Sequence, residues 1–68
     1  MSVNESMLDK AARRGWFTVA EAATYLTVTP ATIRRWVHSG DLAGWRVGPK
    51  LIRIDVGAAR GFRQLVGS

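Results

Sequence analysis

Arg34, Arg35 and His38 sit close together, and Arg46, Lys50 and Arg53 follow after a short interval. A guanidinium carries a rigid fork of N–H donors that grips a phosphate or bridges O6 and N7 of guanine. An ammonium meets a phosphate as a point charge. Which of these each arginine does is left open by the sequence. No catalytic partner stands beside them. Glu21 is taken up by helix capping, Asp41 and Asp55 fall in turns, and no nucleophile–base pair or phosphate-cradling loop occurs. One His and no Cys exclude a zinc cluster, a His-based triad with a spare ligand and a disulfide. The chemistry on offer is the binding of a polyanion.

Charge is distributed to match. Residues 1–29 hold Lys10, Arg13 and Arg14 against Glu5, Asp9 and Glu21, which sum to zero. Residues 30–68 hold Arg34, Arg35, Arg46, Lys50, Arg53, Arg60 and Arg63 against Asp41 and Asp55, which carries the whole net charge of +5. A basic half on a 68-residue chain points to polyanions, nucleic acid first among them. A basic, solvated surface without a partner is the plainer alternative. An apolar fraction of 47% argues for a folded core, yet a chain this short buries only about 60% of its unfolded surface. No run approaches the ~18 apolar residues of a membrane span, and the basic-then-apolar order of a signal peptide is missing. The chain reads as cytosolic, with no cofactor and no membrane partner.

The element that must hold these cations runs from Thr29 to Gly40. Thr29 is a natural N-cap, Pro30 suits the first helical position, and Gly40 suits the left-handed stop. Within this helix of about ten residues, Ile33, Trp36 and Val37 share an inward stripe. Ala31, Arg35 and His38 project outward, with Thr32 and Arg34 on the flanks. Trp36 is expected in the core. His38 reads as a surface residue near a helix C-terminus, where a positive charge is favoured.

Ahead of it, Thr18-Val19-Ala20-Glu21 fits a capping box. Val19, Ala22, Ala23 and Leu26 form the stripe of a second helix ending at Thr27, with Tyr25 at the stripe's edge. Val28 plugs the turn between the two, giving a helix-turn-helix pattern whose second helix enters the major groove. Residues 1–15 read as a loose segment or a short helix, with Met7, Leu8, Ala11 and Ala12 at helical spacing and Gly15 as its stop. After Gly40, Trp45-Arg46-Val47 and Leu51-Ile52-Arg53-Ile54 flank a Gly48-Pro49-Lys50 bend, predicting a two-stranded hairpin. Alternation puts Ile52 and Ile54 inward, Arg46 and Arg53 on the outer face and Lys50 at the tip. From Asp55 a last helix carries Ala58, Ala59, Phe62, Leu65 and Val66 inward. Gly57 and Gly61 each cost up to about 1 kcal/mol there, so a short or frayed helix is expected. Arg60 and Arg63 read as solvated, or as useful to a neighbouring protomer.

Phe17-Thr18-Val19-Ala20-Glu21-Ala22-Ala23, Val28-Thr29-Pro30-Ala31-Thr32-Ile33-Arg34-Arg35-Trp36, Gly40-Asp41-Leu42 and Arg46-Val47-Gly48-Pro49-Lys50-Leu51-Ile52-Arg53-Ile54 together resemble the excisionase branch of the winged helix-turn-helix proteins related to MerR. The likeness spans roughly residues 16–63. It implies a mainly α fold with a small β-hairpin, a winged helix-turn-helix over residues 16–68. It also implies major-groove contacts by Thr32, Arg34 and Arg35 and a wing contact by Lys50. The wider set expected at DNA is Thr18, Thr29, Pro30, Ala31, Thr32, Arg34, Arg35, His38, Arg46, Lys50 and Arg53. The family's turn usually has Gly where Thr27 stands. A β-branched residue at positive φ is strained, so another turn conformation is expected here.

Within the resemblance, a chain that is little more than a DNA-binding domain points to a phage excisionase, a recombination directionality factor. Such a protein would bind and bend attachment-site DNA beside a tyrosine integrase, with copies associating head to tail. A small transcriptional regulator on the same fold is the alternative, and a basic protein-interaction module is a second one.

Overall fold

The computed structural model of the protein describes residues 3–67, and the side chains of residues 7–65. In chain order the elements are α1 (Val3–Arg14), β1 (Trp16–Thr18), α2 (Val19–Leu26), α3 (Pro30–Ser39), β2 (Gly44–Val47), β3 (Leu51–Asp55) and α4 (Val56–Gly67). This is a mainly helical winged helix-turn-helix, with the sheet larger than the predicted hairpin. β3 lies in the centre of three antiparallel strands, between β2 and β1. The third strand is Trp16–Thr18, which the sequence reading treats only as the lead into α2. Three residues are too few for alternation to register; Phe17 is nonetheless opposite Ile54, and both are fully buried.

α2 starts at the expected capping box. The Thr18 hydroxyl accepts from the Glu21 N–H at 3.1 Å, and the Glu21 carboxylate accepts from the Thr18 N–H at 2.9 Å. That carboxylate also pairs with Arg14, tying α1 to the start of α2. α2 ends with Thr27 in the left-handed region, φ 61 and ψ 46, against the expectation that a β-branched residue would force another turn. The Thr27 N–H donates to Thr24 O at 3.3 Å and the Val28 N–H to Ala23 O at 2.9 Å, the paired bonds of a Schellman close. Val28 packs on the core beside them. Two backbone bonds and a buried contact offset the ~1–2 kcal/mol that a left-handed non-glycine costs.

α3 begins as predicted, with Pro30 in its first turn and the Thr29 hydroxyl accepting from the Thr32 N–H at 3.3 Å. It ends at Gly40 with φ 87. The Leu42 N–H then donates to Trp36 O at 3.1 Å, which drops Leu42 into the core. The largest wholly buried side chains are Phe17, Ile33, Leu42 and Ile54, each worth about 1.5–3 kcal/mol of burial. One of them comes from each of β1, α3, the α3–β2 loop and β3, so this small core fixes helix and wing to each other.

The two ends of the chain are more regular than expected. α1 runs for 12 residues, with Met7, Leu8 and Ala11 against the core, while Ala12 is exposed. Residues 1 and 2 lie outside the described residues. α4 continues through both glycines. Its start is capped by Asp55, whose carboxylate accepts from the Ala58 N–H at 2.8 Å. Ala59 is fully buried and the Phe62 ring sits 4.6 Å from that of Trp36, so packing supplies what glycine removes. Leu65, predicted inward, is 81% exposed.

Candidate nucleic-acid interface

α3 and the wing enclose an open cleft of about 570 Å³ lined by Arg34, Arg35, Val37, His38, Gly44, Trp45, Arg46 and Ile52. Its existence follows from register. Gly44 pairs with Ile54 and Arg46 with Ile52, so these four share the sheet face that packs toward α3. Gly44 permits the approach: a Cβ there would lie 2.7 Å from the Arg53 carbonyl oxygen and 3.3 Å from both Val37 methyls. The backbone contact is with β3, so only glycine lets β2 lie this close to its partner strand, and the Val37 methyls of α3 close on the same point. Sequence reading missed Gly44 and Val37 as the residues that set the cleft, although a glycine opening a strand signals close approach.

Register also corrects the faces of the wing. Alternation alone predicts Arg46 on the outer face with Arg53; pairing puts Arg46 on the α3 side and Arg53, opposite Trp45, on the other. The cleft therefore gathers Arg34, Arg35, His38 and Arg46, two elements converging on one opening. Ion pairs among the described residues join Arg13 to Asp9 and Arg14 to Glu21. None of the cleft cations is in one.

Around this centre the first turn of α3 is exposed at Pro30 and Ala31, small enough for close approach to a groove. Thr29 and Thr32 share a hydroxyl–hydroxyl hydrogen bond of 2.9 Å, and the Thr29 oxygen also accepts from the Thr32 N–H, which fixes both side chains at the start of α3. Lys50 is exposed in the turn between β2 and β3. The remaining two expected residues are placed elsewhere. Thr18 caps α2 and sits opposite Arg53 in the sheet. Arg53 is half-buried, its guanidinium carbon 4.0 Å above the Trp16 ring, over which Arg14 also lies at 4.2 Å. Trp36 and Val37 are half-buried against the core, as an inward stripe requires. Tyr25 is buried, its ring 5.1 Å from that of Phe17 and beneath Arg63. Among the described residues no helix is long and apolar enough to cross a membrane.

A cleft of unpaired cations between a capped helix and a short wing, with a small-residue first turn leading into it, has the form of a surface for duplex DNA. Comparison with known proteins agrees. Residues 16–57 match the sequence model of the family described as "Helix-turn-helix domain". The chain is 30% identical over 50 residues to a protein of Mycobacterium phage D29 named "Excisionase", a match covering 74% of this chain and 89% of that relative. No solved structure matches the chain.

Proposed function

This chain belongs to the excisionase-like helix-turn-helix family of DNA-binding proteins, and from that premise we propose that it binds and bends attachment-site DNA. In doing so it directs a tyrosine integrase toward prophage excision. The observation that carries this reading is the cleft. Arg34, Arg35 and His38 on α3 and Arg46 on β2 face one opening without an acidic neighbour in its lining. The first turn of α3, Thr29 to Thr32, approaches base edges in the major groove. Arg34 and Arg35 then reach bases or the flanking phosphates, and Arg46 with Lys50 holds the backbone beside them.

One α3 and one short wing read few base pairs. Specificity at physiological salt then requires several copies on adjacent repeats, about one helical turn or ~10 bp apart when they face the same way. Neighbouring copies touch head to tail, and their separate distortions add to a bend that brings integrase sites together.

Gel shifts on the natural attachment site test this reading. Stepwise, cooperative complexes are expected, with reduced mobility when the site lies at the centre of a circularly permuted fragment. Affinity should fall with salt by ~0.9 in log K per log unit for each phosphate neutralised. A flat salt response would sink the DNA-binding reading. A single 1:1 complex on unbent DNA would instead leave a small regulator.

A further inference from the structure

The face of the sheet turned away from α3 is built unlike the cleft. Pairing puts Trp45 beside Arg53, Val47 beside Leu51 and Thr18 beside Arg53 from the other strand, all on this outer face. Trp45, Val47 and Leu51 are 44%, 42% and 53% exposed, three of the four large apolar side chains so exposed among the described residues. Scattered exposed apolar residues are ordinary, but a contiguous set on one sheet face marks an interaction surface. Trp16, with two guanidiniums above it, continues the set across the strands. Tryptophan and arginine beside aliphatic residues are the side chains that dominate protein–protein contacts.

We propose that this outer face docks an acidic, apolar segment of a protein other than this chain. The apolar row asks for apolar partners, which a phosphate backbone does not offer. The charge asks for acid. Arg14 is answered by Glu21 and Asp55 caps α4, whereas Arg53 is held rigidly on Trp16 without a carboxylate partner. A second copy, with a net charge of +5, offers little free acid. Asp9 is paired with Arg13, Asp41 accepts from the Ser39 hydroxyl and Asp55 from the Ala58 N–H, while α3 carries Arg34 and Arg35 and α4 carries Arg60 and Arg63. The lone charge of α2, Glu21, is spent on Arg14 and the Thr18 N–H. Trp45 also lines the edge of the DNA cleft, so the two surfaces adjoin there, whereas Val47, Leu51 and Arg53 lie outside the cleft lining.

The test uses the full chain, labelled with ¹⁵N, and three synthetic peptides of equal length alternating Glu with Leu, Glu with Ser, or Lys with Leu. The Glu/Leu peptide should move the amide resonances of Trp45, Val47, Leu51 and Arg53 and the Trp16 indole; the other two should not. Replacing Val47→Thr together with Leu51→Thr should weaken that binding at least tenfold, roughly 1.4 kcal/mol. Melting temperature and duplex affinity should stay as in the unaltered chain. Equal binding of the Glu/Ser peptide, or shifts confined to Arg34, Arg35 and Arg46, would mean only polyanion capture by the cleft and overturn the proposal. So would silence at saturating peptide, loss of duplex binding in the double variant, or self-association that the double variant abolishes. The peptide comparison on the unaltered chain stands even if the double variant fails to fold.

Discussion

Arg46 and Arg53 lie in neighbouring rows of the same small sheet and have opposite surroundings. Arg46, opposite Ile52, opens into the cleft beside Arg34, Arg35 and His38, with no ion-pair partner among the described residues. Arg53, opposite Trp45, is folded over the Trp16 ring at 4.0 Å and half-buried. Composition and net charge cannot separate them. Strand parity does, because a shift of one residue moves a side chain to the other face of the sheet. A basic count therefore says that a polyanion is wanted; only pairing says which cations are free to meet it.

The contrast should fail most severely at the residue that separates the two faces. Gly44→Ala would drive a methyl into the Arg53 carbonyl oxygen, and backbone cannot swing aside as a side-chain tip does. We expect a loss of about 3 kcal/mol, the upper end of the overpacking range, together with weakened DNA binding as β2, which carries Arg46, is displaced from β3 and Val37. Thermal or urea unfolding measures the first and a gel shift the second. An alanine variant of unchanged stability would mean that β2 does not approach the Arg53 carbonyl of β3 this closely in solution.

Most of the helical framework is legible in the sequence, and the reasons are local. Thr18 with Glu21, and Thr29 with Pro30 and Gly40, are short-range signals whose hydrogen bonds form within a few residues. What escapes a sequence reading is decided by partners far along the chain. β1 is three residues long and exists because β3 offers it an edge. Thr27 tolerates a positive φ because Val28 and two backbone bonds close the turn. α4 passes through Gly57 and Gly61 because Ala59 and Phe62 pack. For the interface, the α3 residues are readable from helical period alone. The placement of Arg46 and Arg53 is not, since alternation orders each arm of the hairpin separately and leaves the register between them open.

The two arginines can be set directly against each other. Arg46→Ala should weaken binding to every duplex about equally and make the salt slope shallower by about one unit, as loss of a phosphate contact does, leaving the melting temperature unchanged, because its side chain is exposed. Arg53→Ala should do the reverse. Duplex affinity is expected to hold while stability drops by about 0.5–1 kcal/mol, the worth of a partly exposed cation–π contact. Unfolding curves and duplex titrations on both variants give a two-by-two outcome. Equal losses of affinity in the two would show that the outer face also meets DNA and would remove the distinction between the faces.

The smallest effect belongs to Lys50, which is exposed at the wing tip and in neither ion pair. Nothing in the fold depends on it, so Lys50→Ala should melt with the parent chain. If the tip touches phosphate, the loss is the same for every duplex, because phosphate contacts carry no sequence information of their own. The signature is then a salt slope shallower by about one unit, with the ratio of specific to nonspecific affinity unchanged. Arg35→Ala on α3 supplies the contrast, since removing a hydrogen bond to a base there should relax discrimination at one position. The pair is best measured on the natural site and on a scrambled duplex at several salt concentrations. A Lys50 variant that loses discrimination while keeping its salt slope would place the wing tip on base edges and make the wing a reader of sequence.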